Sequence, residues 1–233
     1  MSQYETALDS IRARIAAAAA RACRDPSDIR LVAVSKSHPF DLIREVFDCG
    51  QTVFGESRVQ EALAKIPLLP PAIQWHFIGH LQSNKIRRAL PHFTLFHGVD
   101  NAETAAQMDR IAAELGLFPR VLLEVNISGE GTKFGFAPDE LRSQWEDLLA
   151  LPRVQVAGLM TLAPYDADPE KARPHFAALR TLRDELQTRA GVPLPDLSMG
   201  MSGDFEPAIA EGATLVRVGS AIFGERRKKG AEP

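Results

Sequence analysis

Short apolar runs alternate with helix-spaced patterns along the whole chain, and that alternation limits the fold more than any compositional feature. The strand-like runs lie at 31–35, 52–54, 75–78, 95–98, 120–126, 155–161, 197–200 and 214–218. Helical spacing fills most of the gaps, at 40–49, 57–66, 82–90, 101–116, 138–150, 169–190 and 204–211. Strands that alternate with helices form parallel βαβ units. Eight such units in 233 residues predict an α/β fold, a single (β/α)8 TIM barrel. An opening amphipathic helix over 3–23 precedes it, read from Ala7, Ile11, Ile15, Ala18 and Ala19. The alternative is an open doubly wound sheet, but no G-x-G-x-x-G follows the first strand.

The whole of 1–233 is expected to be one domain, with a disordered tail from about 226 that carries Arg226, Arg227, Lys228 and Lys229. With a net charge of −3 and no aromatic platform beside that tail, no nucleic-acid or membrane surface is expected. Met1 to Leu8 lacks a basic head and a secretory apolar core, and the alanine run at 16–20 is too short to span a bilayer. The expected compartment is the cytoplasm. Cys23 and Cys49, both read as helical, are expected to be buried free thiols.

In a barrel of this kind chemistry gathers at the C-terminal ends of the strands. The first strand there runs Leu31-Val32-Ala33-Val34-Ser35-Lys36. An amine among apolar neighbours loses hydration, and more of it is then the neutral nucleophile that attacks aldehydes. The other reading of Lys36 is a side chain that reaches from a strand end into water. The last two strand ends suit a phosphate. Ser202 precedes a helix, and Gly219-Ser220 leads into the short segment Ala221-Ile222-Phe223-Gly224. Backbone donors at helix starts hold anions, although simple capping would use Ser202 in the same place. Arg217 alternates onto the face of Leu215 in a buried strand and needs a partner there, either Glu124 or the ring nitrogen of a pyridine. An amine for an aldehyde, a cradle for a phosphate and a donor for a ring nitrogen together describe a pyridoxal 5′-phosphate site.

The segments Leu31 to Lys36, Phe54-Gly55-Glu56, Val59-Gln60-Glu61, Trp75 to Gly79, Leu81 to Lys85, Val125 to Glu130, Gly158-Leu159-Met160, Leu197 to Ser202 and Val216 to Gly219 with Ala221 to Gly224 resemble, in order, the pyridoxal phosphate homeostasis protein family. The resemblance implies a fold-type III barrel like the N-terminal barrel of alanine racemase, with pyridoxal 5′-phosphate as cofactor. It implies that Lys36 carries the cofactor as a Schiff base, that Ser202, Gly219 and Ser220 hold the phosphate, and that Arg217 faces the ring nitrogen. It further implies a role in vitamin B6 homeostasis without established turnover, with no catalytic residue and no metal. The expected partners are the cofactor and, transiently, apo-enzymes that use it, and the expected state is a monomer. Two positions depart from the family pattern. Ser57-Arg58 stands where Asn-Tyr is usual, and His80 stands where proline is frequent.

The alternative function is a racemase, lyase or decarboxylase acting on amino acids. A racemase of the related fold uses a lysine and a tyrosine from a second domain. Of the two tyrosines here, Tyr4 lies in the opening helix and Tyr165 in a loop, where it is read as an ordinary loop residue. His76 and His80 read as core or rim histidines rather than metal ligands. Lys85, Arg87 and Arg88 read as a solvated face, and Lys133 as a mobile loop residue.

Overall fold

The periodicities of the sequence close into a ring in space. The computed structural model describes residues 2–131 and 133–224. Eight parallel strands pair in chain order: β1 (Arg30–Val34), β2 (Val53–Glu56), β3 (Gln74–Phe77), β4 (Leu95–Val99), β5 (Arg120–Glu124), β6 (Gln155–Met160), β7 (Asp196–Met201) and β8 (Leu215–Val218). The pairing of β8 with β1 closes the barrel and excludes the open sheet. The helices are α1 (Gln3–Arg21), α2 (Phe40–Asp48), α3 (Val59–Lys65), α4 (Ile86–Ala89), α5 (Ala102–Leu115), α6 (Pro138–Leu149), α7 (Arg173–Ala190), α8 (Phe205–Ala210) and α9 (Ser220–Phe223).

The opening helix has a structural task in this ring. After β8 the described chain supplies only the four-residue α9, too short to cover the seam between β8 and β1. Helix α1 packs against α8, α9 and α2 and fills that place. It buries Leu8, Ile11 and Ile15 on one face. Ser2 caps it, with Glu5 completing a reciprocal capping box.

Side chains alternate across each strand. The outward set, with the helices, builds the main core. The inward set includes a small apolar floor of Val32, Leu95, Leu122, Ala157, Met160 and Leu215. Register shifts interrupt the β4–β5, β5–β6 and β7–β8 pairings. At the β5–β6 shift sits Gly158, where a Cβ would stand 1.8 Å from the Asp196 carbonyl oxygen. Only glycine lets β6 approach β7 that closely.

Some local expectations need correction. Cys23 is not helical and not buried: it lies past the end of α1, exposed, with φ 52. Cys49 caps α2 and is half-buried, with its sulfur 3.4 Å from Ser2 Oγ. The helix over 82–90 is a 3-10 turn, Ser83–Lys85, followed by α4. A 3-10 turn, Pro169–Ala172, likewise precedes α7, because Pro174 lacks the N–H that a continuous helix from 169 would bond to residue 170. The basic tail at 226–229 lies outside the described residues. Among the described residues no helix is long and apolar enough to cross a membrane.

Candidate active site at the C-terminal mouth of the barrel

Strand ends on one face of the barrel open into a cleft of about 730 Å³. Lys36, Ser202, Arg217, Gly219 and Ser220 all line it. Residues from the first, seventh and eighth strand ends, far apart in sequence, therefore share one wall.

Lys36 is half-buried and sits two residues beyond β1, in a tight turn where Ser37 adopts the left-handed φ of 67. Val34 and Ile78 also line the cleft. A buried ion network, absent from the sequence reading, supports this turn from below. Lys65 Nζ donates to Glu56 Oε1 at 2.9 Å, to Glu61 Oε1 at 2.6 Å and to the Ser35 carbonyl at 3.2 Å. Ser35 Oγ donates to Glu56 Oε1 at 2.7 Å, and Glu61 Oε1 accepts the Ser37 N–H at 2.5 Å. Burial pushes the Glu56 carboxyl up, and the Lys65 charge opposes that. The sequence signal was present, since Glu56 and Glu61 fall in two of the segments that carry the resemblance.

Ser202 does not cap α8. Asp204 occupies that cap position and uses its carboxylate to accept the Met201 N–H at 2.5 Å. Ser202 Oγ instead accepts the Gly219 N–H at 3.2 Å, which ties the loop after β7 to the loop after β8. Ser220 begins α9 and Gly219 stands just before it. The serine hydroxyl and the start of α9 thus meet at one corner of the cleft.

Arg217 is 4% exposed, and among the described residues Glu124 acts on it by charge rather than as its hydrogen-bond acceptor. One guanidinium nitrogen, Nη1, donates to Ser198 Oγ, and Nη2 donates to the Thr161 carbonyl at 3.0 Å. Burial lowers its pKa to about 10, with the charges of Glu124 and Asp204 opposing, so it stays a cation at neutral pH. Behind Ser198 two buried imidazoles continue the contacts: His97 Nδ1 lies 2.8 Å from Ser198 Oγ, and His97 Nε2 lies 3.0 Å from His76 Nδ1. His76 is therefore a core residue facing His97, while His80 sits at the rim, 2.6 Å from Asp100 Oδ2 and stacked on Phe134. Sequence reasoning missed His97 and Ser198. Their signal was two polar residues at inward positions of buried strands.

The rest of the cleft is looser. Tyr165 lines it but is 96% exposed. Lys133 lines it too and donates to Glu130 at 2.8 Å and to Ser128 at 3.4 Å, so it is engaged with its own loop. Ser57, Arg58, His80 and Lys85 line a separate pocket of about 300 Å³. The two departures from the family pattern therefore lie outside the main cleft.

Comparison with known proteins places this architecture. The model of the alanine racemase N-terminal domain matches residues 6–227. A pyridoxal phosphate homeostasis protein of Aquifex aeolicus is 46% identical, over 94% of this chain and 97% of its own. The chain belongs to the pyridoxal phosphate homeostasis protein family. PipY of Synechococcus elongatus PCC7942, solved without pyridoxal phosphate, is 43% identical with a TM-score of 0.87, over 95% of this chain and all of its own. The same protein solved with pyridoxal phosphate bound is 42% identical with a TM-score of 0.85, over the same shares. Family membership and the closed barrel agree with what the ordered segments and the strand–helix alternation implied.

Proposed function

We propose that this chain binds pyridoxal 5′-phosphate covalently through Lys36 and acts in the cytoplasm, as a monomer, as a carrier and buffer of the cofactor rather than as an amino-acid-transforming enzyme. The observation that carries this reading is the convergence of Lys36, Ser202, Gly219, Ser220 and Arg217 on one cleft. When bound, pyridoxal phosphate supplies an aldehyde that condenses reversibly with amines, and a ring that can accept electrons.

The donor set fits that group. Lys36 offers a primary amine in a cleft that Val34 and Ile78 also line. Ser202 and the start of α9 offer hydroxyl and backbone donors for an anion. Arg217 uses Nη1 and Nη2 on protein acceptors, and its Nε has no protein acceptor among the described residues. A guanidinium has donors only, so Arg217 supports a ring nitrogen that keeps its lone pair and carries no proton. That weakens electron withdrawal from a bound amino acid.

A racemase needs a second base held opposite its lysine. Tyr165 makes no hydrogen bond among the described residues, and its exposure leaves it unfixed over Lys36. The homeostasis names of the relatives and the pyridoxal phosphate in PipY also support the carrier reading.

Deuterium exchange tests it. With L-alanine in deuterated water, the loaded protein is expected to show little exchange at Cα, because a missing general base costs about 10²–10⁴-fold in rate. An added apo-enzyme is expected to gain cofactor from the same sample. Exchange or racemisation at about 1 s⁻¹ or faster, the low end for ordinary enzymes, would establish turnover and make Tyr165→Phe the next variant.

A further inference from the structure

The polar column inside the barrel has a direction. Arginine has donors only, so Ser198 Oγ accepts from Arg217 Nη1. The hydroxyl hydrogen of Ser198 then has one acceptor among the described residues, His97 Nδ1 at 2.8 Å. An imidazole that accepts at Nδ1 carries its proton on Nε2, and His97 Nε2 meets His76 Nδ1 at 3.0 Å. His76 accepts there and must hold its own proton on Nε2. Each donor in the column is matched by one acceptor: Arg217 to Ser198, Ser198 to His97, His97 to His76.

The electrostatics agree with this order. His97 is fully buried, and burial, followed by the nearby His76 and Arg217, drives its pKa well below the usual histidine range. Burial, then Arg30 and Arg120, lowers His76 to about 3. Both rings are neutral at physiological pH, as a column with one proton per link requires. A protonated His97 would donate from both nitrogens, and the Ser198 hydroxyl hydrogen would lose His97 Nδ1 as its acceptor.

The column also spans three strands. His76 lies in β3, His97 in β4 and Ser198 in β7, and the guanidinium of Arg217 in β8 is held from the other side by the Thr161 carbonyl after β6. Two acceptors on separate segments of the barrel define the plane of a guanidinium, which one acceptor does not.

We propose that Ser198 and His97 are positioning residues for the cleft, forming with His76 a one-way hydrogen-bond column that fixes the Arg217 guanidinium so that it presents only N–H donors to a bound pyridine ring. This rests on the reading that the cleft holds pyridoxal phosphate, and it assigns to the column the control of the ring nitrogen's protonation. With the column broken, Arg217 turns, water reaches the ring nitrogen, and that nitrogen takes up a proton as pH falls.

Nitrogen-15 NMR tests both halves. In the cofactor-free protein, His97 and His76 are expected to be neutral with the proton on Nε2. A proton on Nδ1 of His97 would overturn the column. In protein loaded with ring-labelled pyridoxal phosphate, the ring-nitrogen shift is expected to stay at its unprotonated value across the neutral pH range. Ser198→Ala and His97→Phe are expected to make that shift titrate and to weaken cofactor binding about tenfold, the loss of one hydrogen bond to a charged group. His97→Asn, whose amide oxygen accepts where Nδ1 did, is expected to restore both. If His97→Phe does not fold, Ser198→Ala decides, since it removes a single oxygen. A folded Ser198→Ala protein with wild-type affinity and an unchanged ring-nitrogen shift would overturn the proposal. A wild-type protein that takes up no cofactor overturns the reading beneath it, and the tautomers then show whether the column itself was correct.

Discussion

At the scale of single residues the proposed site divides into groups that meet a ligand and groups that hold them. Ser202 Oγ belongs to the first, in the corner where the loops after β7 and β8 meet. Ser202→Ala is expected to weaken pyridoxal 5′-phosphate by about 1.5–3 kcal/mol, the value of a hydrogen bond to a charged group, and to leave unphosphorylated pyridoxal nearly unchanged in a titration. Equal losses for both ligands would make Ser202 a folding residue only. Glu124 belongs to neither group yet titrates in a useful range. Burial, then the charge of Asp100, raises its carboxyl from 4.5 to about 7, against Arg217 and His80. The folded value lies above the unfolded one, so folding takes up a proton between them, and stability falls as pH rises from about 4.5 to about 7. The full swing is on the order of 3 kcal/mol. Urea unfolding across that range is expected to show the slope, and Glu124→Gln to flatten it. That the residues proposed to face the ligand line one cleft was legible in the sequence, because each stands at or near the end of an apolar strand. The supporting pairs were not, because they lie 9, 21 and 101 residues apart and meet only once the elements that carry them pack together.

At the scale of elements the turn after β1 depends on α3. Glu56 is fully buried at the end of β2, and Lys65 at the end of α3 is its cation. Removing one partner of a buried ion pair leaves an uncompensated charge. Lys65→Met is therefore expected to cost about 3–5 kcal/mol in chemical unfolding. It is also expected to release the Ser37 turn, since Glu61 would lose the lysine that fixes its carboxylate on the Ser37 N–H. A change under about 0.5 kcal/mol, typical of surface sites, would contradict the network. The strands and helices themselves could be read from the sequence, because short apolar runs give way to helix-spaced patterns at most boundaries. What could not be read were details that depend on neighbours: the Gly158 approach to Asp196, the 3-10 turns before α4 and α7, and the cap at Asp204 rather than Ser202. Capping stayed an open reading for Ser202 because the loop after β8, which supplies its actual donor, is 17 residues away.

At the scale of the whole molecule, barrel closure is what turns scattered residues into a site. The pairing of β1 with β8 brings the turn of Lys36 beside Gly219 and Arg217, and α1 covers the outer side of that seam. The opening helix is thus part of the wall behind the proposed cofactor site. The central claim is that this seam holds pyridoxal phosphate on the amine of Lys36, and one measurement tests it most directly. Purified protein is loaded with pyridoxal 5′-phosphate, reduced with borohydride and mapped by peptide mass spectrometry. A single reduced adduct is expected on the peptide containing Lys36, lost in Lys36→Ala. An adduct on another lysine, with labelling of Lys36→Ala unchanged, would contradict it.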